Sequence, residues 1–216
     1  MSKRTQRTLA SIVVVLAALA PVTLLTSPAS AFPAGDPVYT FKYKIVATTF
    51  IKRSNMTITA PPGIFKGGID LSTGQLKGSI TLPPSSFTQS EAGVGLVTVT
   101  AAIEPVKPVS GHVDIGTFQV TSTSVFNIHI LSMYAATPPL PGPNPLPKVN
   151  LVGDSCITKY PVWVTISGKA NLGAPSTLKG KFFIPRFQNC QGMTTALNQQ
   201  VPGRDNTFSA TATPAT

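Results

Sequence analysis

Polar and apolar residues alternate along most of this chain. In "VYTFKYKIV", Tyr39, Phe41, Tyr43 and Ile45 fall on one side of an extended segment, and Thr40, Lys42 and Lys44 on the other. Side chains of a strand point alternately to its two faces, so this pattern predicts a strand with one buried and one wet face. "GLVTVTAAI" repeats it with Val97, Val99, Ala101 and Ile103, and "VFNIHILSM" with Phe126, Ile128 and Ile130. "YPVWVTI" sets Val162, Val164 and Ile166 against Trp163, and "NTFSATAT" predicts an edge or final strand. After residue 31 no stretch keeps a 3.6-residue apolar period over three turns, so the fold is expected to be all-β.

Turn chemistry divides the strands. "STGQ" at 72–75 predicts a hairpin around Gly74. "APPG" at 60–63 and "LPP" at 82–84 end strands, because proline cannot donate to a ladder. Short antiparallel strands at this spacing predict a two-sheet sandwich or a flattened barrel.

One skeleton occurs twice. "LKGSITLP" starts at Leu76 and "LKGKFFIP" at Leu178, so Leu76, Gly78 and Pro83 match Leu178, Gly180 and Pro185 at an offset of 102. In both copies the leucine, the glycine and two later apolar residues share a face. A glycine inside a strand leaves room for a close neighbour. Two similar β-halves sharing one core is the leading reading; two hairpins with common turn chemistry is the other. Between them, "TPPLPGPNPLPK" at 137–148 alternates proline and reads as a stiff crossover, or as a docking strip for an aromatic groove.

The N-terminus carries an address. Lys3, Arg4 and Arg7 precede an apolar run from Leu9 to Leu25, and Ala29-Ser30-Ala31 matches a signal-peptide cleavage pattern. The expected organisation is a signal peptide over 1–31, cleaved after Ala31, one β domain over 32–213 and a disordered tail over 214–216. The mature chain is then secreted or cell-wall associated and does not span a membrane. Losing three basic residues lowers the formal charge from +10 to +7. The basic residues are scattered, which argues against nucleic acid as a partner. Solubility, or weak attraction to an anionic cell-wall polymer or lipid, fits better. An exported chain meets an oxidising compartment, so the two cysteines, Cys156 and Cys190, are expected to form a disulfide.

Candidate chemistry is sparse. "GDSC" at 153–156 resembles a hydrolase Gly-Asp-Ser, but Ser155 precedes a bridging cysteine and reads as a turn residue. His112 and Asp114 share a strand face, an exposed pair in the plainer reading; His129 is distant in sequence, and a metal site needs three or four ligands. No two of the seven acidic residues mark themselves as a catalytic pair. No catalytic residue, metal site or cofactor is therefore expected. Asn55-Met56-Thr57 is a glycosylation sequon whose meaning depends on the host. Eleven phenylalanines pack an ordinary core or line a barrel that holds an apolar ligand; which residues would line it is not marked.

Leu178 and Gly180, then Ile184, Pro185, Phe187, Asn189 and Cys190, then Pro202, Gly203, Asn206 and Thr207, resemble a pattern in uncharacterised exported β-rich proteins of actinobacteria. The resemblance covers the last 40 or so residues best and implies no activity. "GGIDLSTGQLKGSITL" is also faintly similar to bacterial isoprenoid-binding, lipocalin-like barrels. The expected function is non-catalytic binding or structural support at the cell envelope. A barrel carrier of a lipid or isoprenoid is the alternative, and a hydrolase the third.

Overall fold

The computed structural model describes residues 38–91, 95–135, 149–171 and 173–215. The leader over 1–31 and most of the chain between the halves, including the crossover at 137–148, lie outside the described residues. Twelve strands form: β1 (Val38–Ile51), β2 (Met56–Thr59), β3 (Gly63–Asp70), β4 (Gln75–Thr81), β5 (Ser85–Glu91), β6 (Gly95–Val113), β7 (Gln119–Ala135), β8 (Cys156–Thr158), β9 (Val162–Lys169), β10 (Ser176–Ile184), β11 (Phe187–Gln188) and β12 (Gly203–Pro214). A 3-10 turn (Gln191–Met193) and one helix, α1 (Thr194–Gln200), precede β12. The helix is two turns long, too short to leave a three-turn period in the sequence.

Every pairing is antiparallel, and eight strands pair in a circle. The order is β1-β3-β4-β6-β7-β9-β10-β12, with β12 closing on β1. The ring is uneven. β6 and β7 run 19 and 17 residues, against seven for β4. Their register breaks at Thr100/Ala101, Pro105/Lys107 and Lys107/Ser110. Pro105 and Pro108 fall at those breaks, where no ladder donor is needed. The result is the flattened barrel among the expected architectures. β12 is not an edge: it lies between β10 and β1. It also extends beyond the expected domain end at 213, since the N–H of Ala215 donates to the Lys42 carbonyl at 3.0 Å.

The halves share one wiring. In each, a long strand is followed by a short one that pairs back onto it, β2 on β1 and β8 on β7. A medium hairpin follows, β3–β4 or β9–β10. Leu76 and Leu178 therefore occupy the same place in their halves. The correspondence breaks at the fifth member: β5 pairs with β6, but β11 pairs with β8 instead of β12.

The barrel has two unlike ends. At one, tight turns at 71–74 and 114–118 and the connection at 170–175 join neighbouring strands, and β1 enters and β12 leaves. At the other lie β2, β5, β8, β11 and α1. The larger buried cluster belongs to this second end and includes Ile51, Met133, Val152, Ile184, Phe187 and Leu197. A smaller one, Ile69, Leu76, Val113 and Val120, lies beneath the turns.

Candidate functional site

The alternation read from the sequence decides what faces inward. Phe41, Ile45, Val99, Ile128, Val164 and Phe182 all line one cavity inside the ring, of about 260 Å³. The opposite positions face out: Lys42 and Lys44 are exposed and Trp163 is 57 % exposed. Threonine and serine pairs such as Ser86–Thr100, Thr123–Thr165 and Thr177–Thr211 face each other across strands on the outer wall. A polar wall around an apolar interior is the reverse of a membrane-spanning barrel. Among the described residues no helix is long and apolar enough to cross a membrane.

The cavity exists because inward positions alternate large and small. Ala47, Ala101, Ala170, Ala210 and Ala212 line it beside phenylalanine and isoleucine. Gly78 faces Gly67 across the β3–β4 pair, and the ring of Phe65 occupies the space a side chain would take. A Cβ on Gly78 would come 2.6 Å from that ring. Gly180 leaves comparable room for the Thr165 carbonyl and the Ile166 side chain. The repeated glycine thus admits close neighbours in both halves. Phe41 packs against Tyr43 and Phe65 at ring distances of 5.5 and 5.8 Å.

Among the described residues no Lys, Arg, Asp, Glu or His lines the cavity. The polar groups facing it are few: Tyr43, Thr49, Ser85, Gln89, Ser122, Ser124 and Ser176. Ser176 Oγ accepts the N–H of Asn171 at 2.8 Å. Burial, helped by nearby Tyr39, raises the Tyr43 hydroxyl above its ordinary range, which keeps it a neutral hydrogen-bonding group. A charged guest would be desolvated here without a counter-ion, at a cost of several kcal/mol. The site suits an uncharged body with one hydroxyl or carbonyl. Proportioned to the ~150 Å³ cavity that holds benzene, it admits about ten carbon atoms.

The residues singled out for chemistry do not assemble. Among the described residues no three of His, Cys, Asp and Glu gather as metal ligands. The Asp114 carboxylate accepts the N–H groups of Gly116 and Thr117, both at 2.9 Å, and so caps its own turn. Those bonds, Thr117's first, hold it below the usual carboxylate range, with a smaller contribution from His112. His129 Nε2–H donates to the Asp154 carbonyl at 3.1 Å, while Nδ1 lies 2.7 Å from Glu104 Oε1. Both ring nitrogens are engaged, which leaves neither free to serve Ser155 as a base. The exposed Asn55 sits in the β1–β2 turn at φ 51°.

Cys156 and Cys190 form the disulfide, both fully buried. The bridge ties β8 to the chain after β11. Asn198, absent from the sequence reading, locks the same ribbon: its Oδ1 accepts the Phe187 N–H at 2.7 Å and its Nδ2 donates to the Phe187 carbonyl at 2.9 Å. Asn206 accepts the Lys52 N–H at 3.0 Å and donates to Gly203 at 2.9 Å. Asn150 accepts the N–H of Met133 at 3.0 Å and donates to Leu131 and Gly153. The contacts of Asn198 with Phe187, Asn150 with Met133 and Asn206 with Lys52 span 11, 17 and 154 residues, and spacing alone carries no signal of them. Ile184, Pro185, Phe187, Cys190, Pro202 and Asn206 are all buried here. These six positions of the C-terminal pattern pack this end of the barrel, whereas Asn189 and Thr207 are exposed and Leu178 packs beneath the turns.

Compared with known proteins, the chain matches no family model, no curated protein and no solved structure.

Proposed function

We propose that this is a non-catalytic binding protein of the cell envelope, exported by the leader over 1–31, whose ligand is an uncharged, largely apolar molecule held inside the barrel. The cavity carries this reading: about 260 Å³ of interior that no charged side chain lines among the described residues. Small-molecule sites span roughly 300–1,000 Å³, so the guest is small or fills the space tightly. Ser122 and Ser124 lie one alternation apart on β7 and face inward, where they suit the guest's one polar group. The disulfide supports residence in an oxidising compartment. A hydrolase has less to rest on, because both ring nitrogens of His129 are engaged elsewhere. Attachment to an anionic wall polymer rests on net charge alone.

The test is native mass spectrometry of the protein as released by the expressing cell, with solvent extraction of what it carries. The expected result is a neutral apolar compound of about ten carbons, absent from a Ser124→Phe variant that keeps the wild-type circular dichroism. A protein that carries nothing, and takes up no neutral apolar compound of that size when offered one, contradicts the proposal.

A further inference from the structure

A guest inside the ring must enter from one end, and the two ends differ in what stands over the cavity. At the helix end, α1, β2, β5, β8 and β11 overlie the cavity, with Leu197 buried against it. At the opposite end among the described residues no helix and no added strand lies over the cavity, only short connections. These connections form one rim. The Val113 N–H donates to the Gly74 carbonyl at 2.8 Å, and the Ala170 N–H to the Phe118 carbonyl at 2.8 Å.

The rim is apolar at its tips. Leu71 and Ile115 each follow the aspartate that caps their turn, and are 47 % and 40 % exposed. Tyr39, opposite Ile69, is 47 % exposed beside them. Directly inward, Phe118 lines the cavity from a left-handed backbone conformation, φ 58°. That conformation is costly for a bulky side chain. Phe118 thus lines the cavity from a strained position in a short turn.

The charges around the rim favour one partner. Lys42, Lys66, Lys169 and Lys179 are exposed on the strands that lead to it. Among the described residues the rim's carboxylates are Asp70 and Asp114, which stay ionised within their own turns and are outnumbered by these four lysines. Apolar tips in a basic surround match an anionic lipid surface, where leucine enters the acyl boundary and lysine meets the headgroups. We infer that this rim docks on anionic lipid and is the portal through which the barrel exchanges its ligand. This rests on the cavity reading above and adds where the ligand enters and from what phase.

The experiment is co-sedimentation of the exported protein with vesicles of phosphatidylglycerol and phosphatidylcholine, beside vesicles of phosphatidylcholine alone. The wild type is expected to pellet with the anionic vesicles and to be released by salt. Leu71→Asp with Ile115→Asp should weaken binding at least about tenfold, the factor that burial of a single leucine supplies. Should that pair lose its circular dichroism, Leu71→Ser with Ile115→Ser takes its place with the same expectation. Trp163→Ala with Phe183→Ser, on the outer wall, should bind as the wild type does. Phe118→Gly should speed release of bound ligand into vesicles.

Tip variants that bind vesicles like the wild type overturn the docking surface. So does a wild type that ignores vesicles but forms a dimer the tip variants abolish, which would make the occupant a second copy of the chain. Ligand release unaffected by Phe118→Gly overturns the portal. Absence of any bound ligand strikes the cavity reading and the portal with it, while vesicle binding, scored independently of cargo, still decides the docking surface.

Discussion

The two ends of the barrel are secured by different physics. At the helix end, Asn150, Asn198 and Asn206 each donate and accept, and join segments 17, 11 and 154 residues apart. The disulfide adds a link across 34 residues. At the turn end, the securing side chains reach only their own turn, Asp70 to Ser72 and Thr73, and Asp114 to Gly116 and Thr117. Long-range links resist opening because many segments must move together. The turns at the other end are joined by backbone bonds, Val113 to Gly74 and Ala170 to Phe118, without long-range side-chain clamps, a lighter restraint. The lesson is a division of labour: long-range side-chain links hold the ring at one end, and turn-local ones shape the other, where a guest is proposed to enter.

The largest expected effect lies at the fixed end. Leu197→Ala removes a fully buried side chain and should cost about 2–5 kcal/mol in denaturant titration. Leu76→Ala, under the turns, enlarges a space that already exists and should cost less. Equal losses would break the contrast between the ends.

Replacing both Cys156 and Cys190 by serine comes next. Opening a loop of 34 residues should cost about 3–4 kcal/mol on the chain-entropy account. Near 2–4 °C per kcal/mol, melting should fall by roughly 10 °C. Oxidised and reduced samples that melt together would remove the bridge from this account. Hydrogen exchange should quicken first around β8 and β11, with the turns unchanged.

The smallest effect is at the turn end and depends on pH. The Ser72 hydroxyl, then the Thr73 side chain and the N–H groups of both residues, hold the Asp70 carboxyl at about 2. An unfolded aspartate titrates near 3.9. The folded value is the lower one, so the contribution is complete above about pH 4 and is lost as pH falls toward 2. Asp70→Asn should flatten the loss of stability across that acid window. An unchanged acid limb would sharpen the contrast further, by showing that this turn contributes nothing to global stability.

Much of the barrel was legible in the sequence because its signal is local. Alternation at Phe41–Ile45, Val97–Ile103 and Val162–Ile166 assigned the inner face, and Gly74 placed a turn. The repeated Leu-x-Gly pointed to two halves that share their wiring. Ring closure was not legible, since the pairing of β12 with β1 joins residues more than 150 positions apart. Nor was the inner place of β12, because edge and central strands with small residues share one pattern. Pro105 and Pro108 would have argued against a strand; bulges accommodate them. The phenylalanines allowed either a filled core or a lined cavity, and only the packing of Phe65 over Gly67 and Gly78, with alanines opposite, distinguishes the two.

The claim beneath everything else is that the ring is lined and not filled. A crystal pressurised with xenon tests it most directly, because xenon enters dry apolar cavities and avoids packed cores. The account expects xenon inside the ring, in contact with inward side chains such as Leu76, Ala101 and Ser124. Side chains that meet across the interior, with no xenon between them, would contradict it.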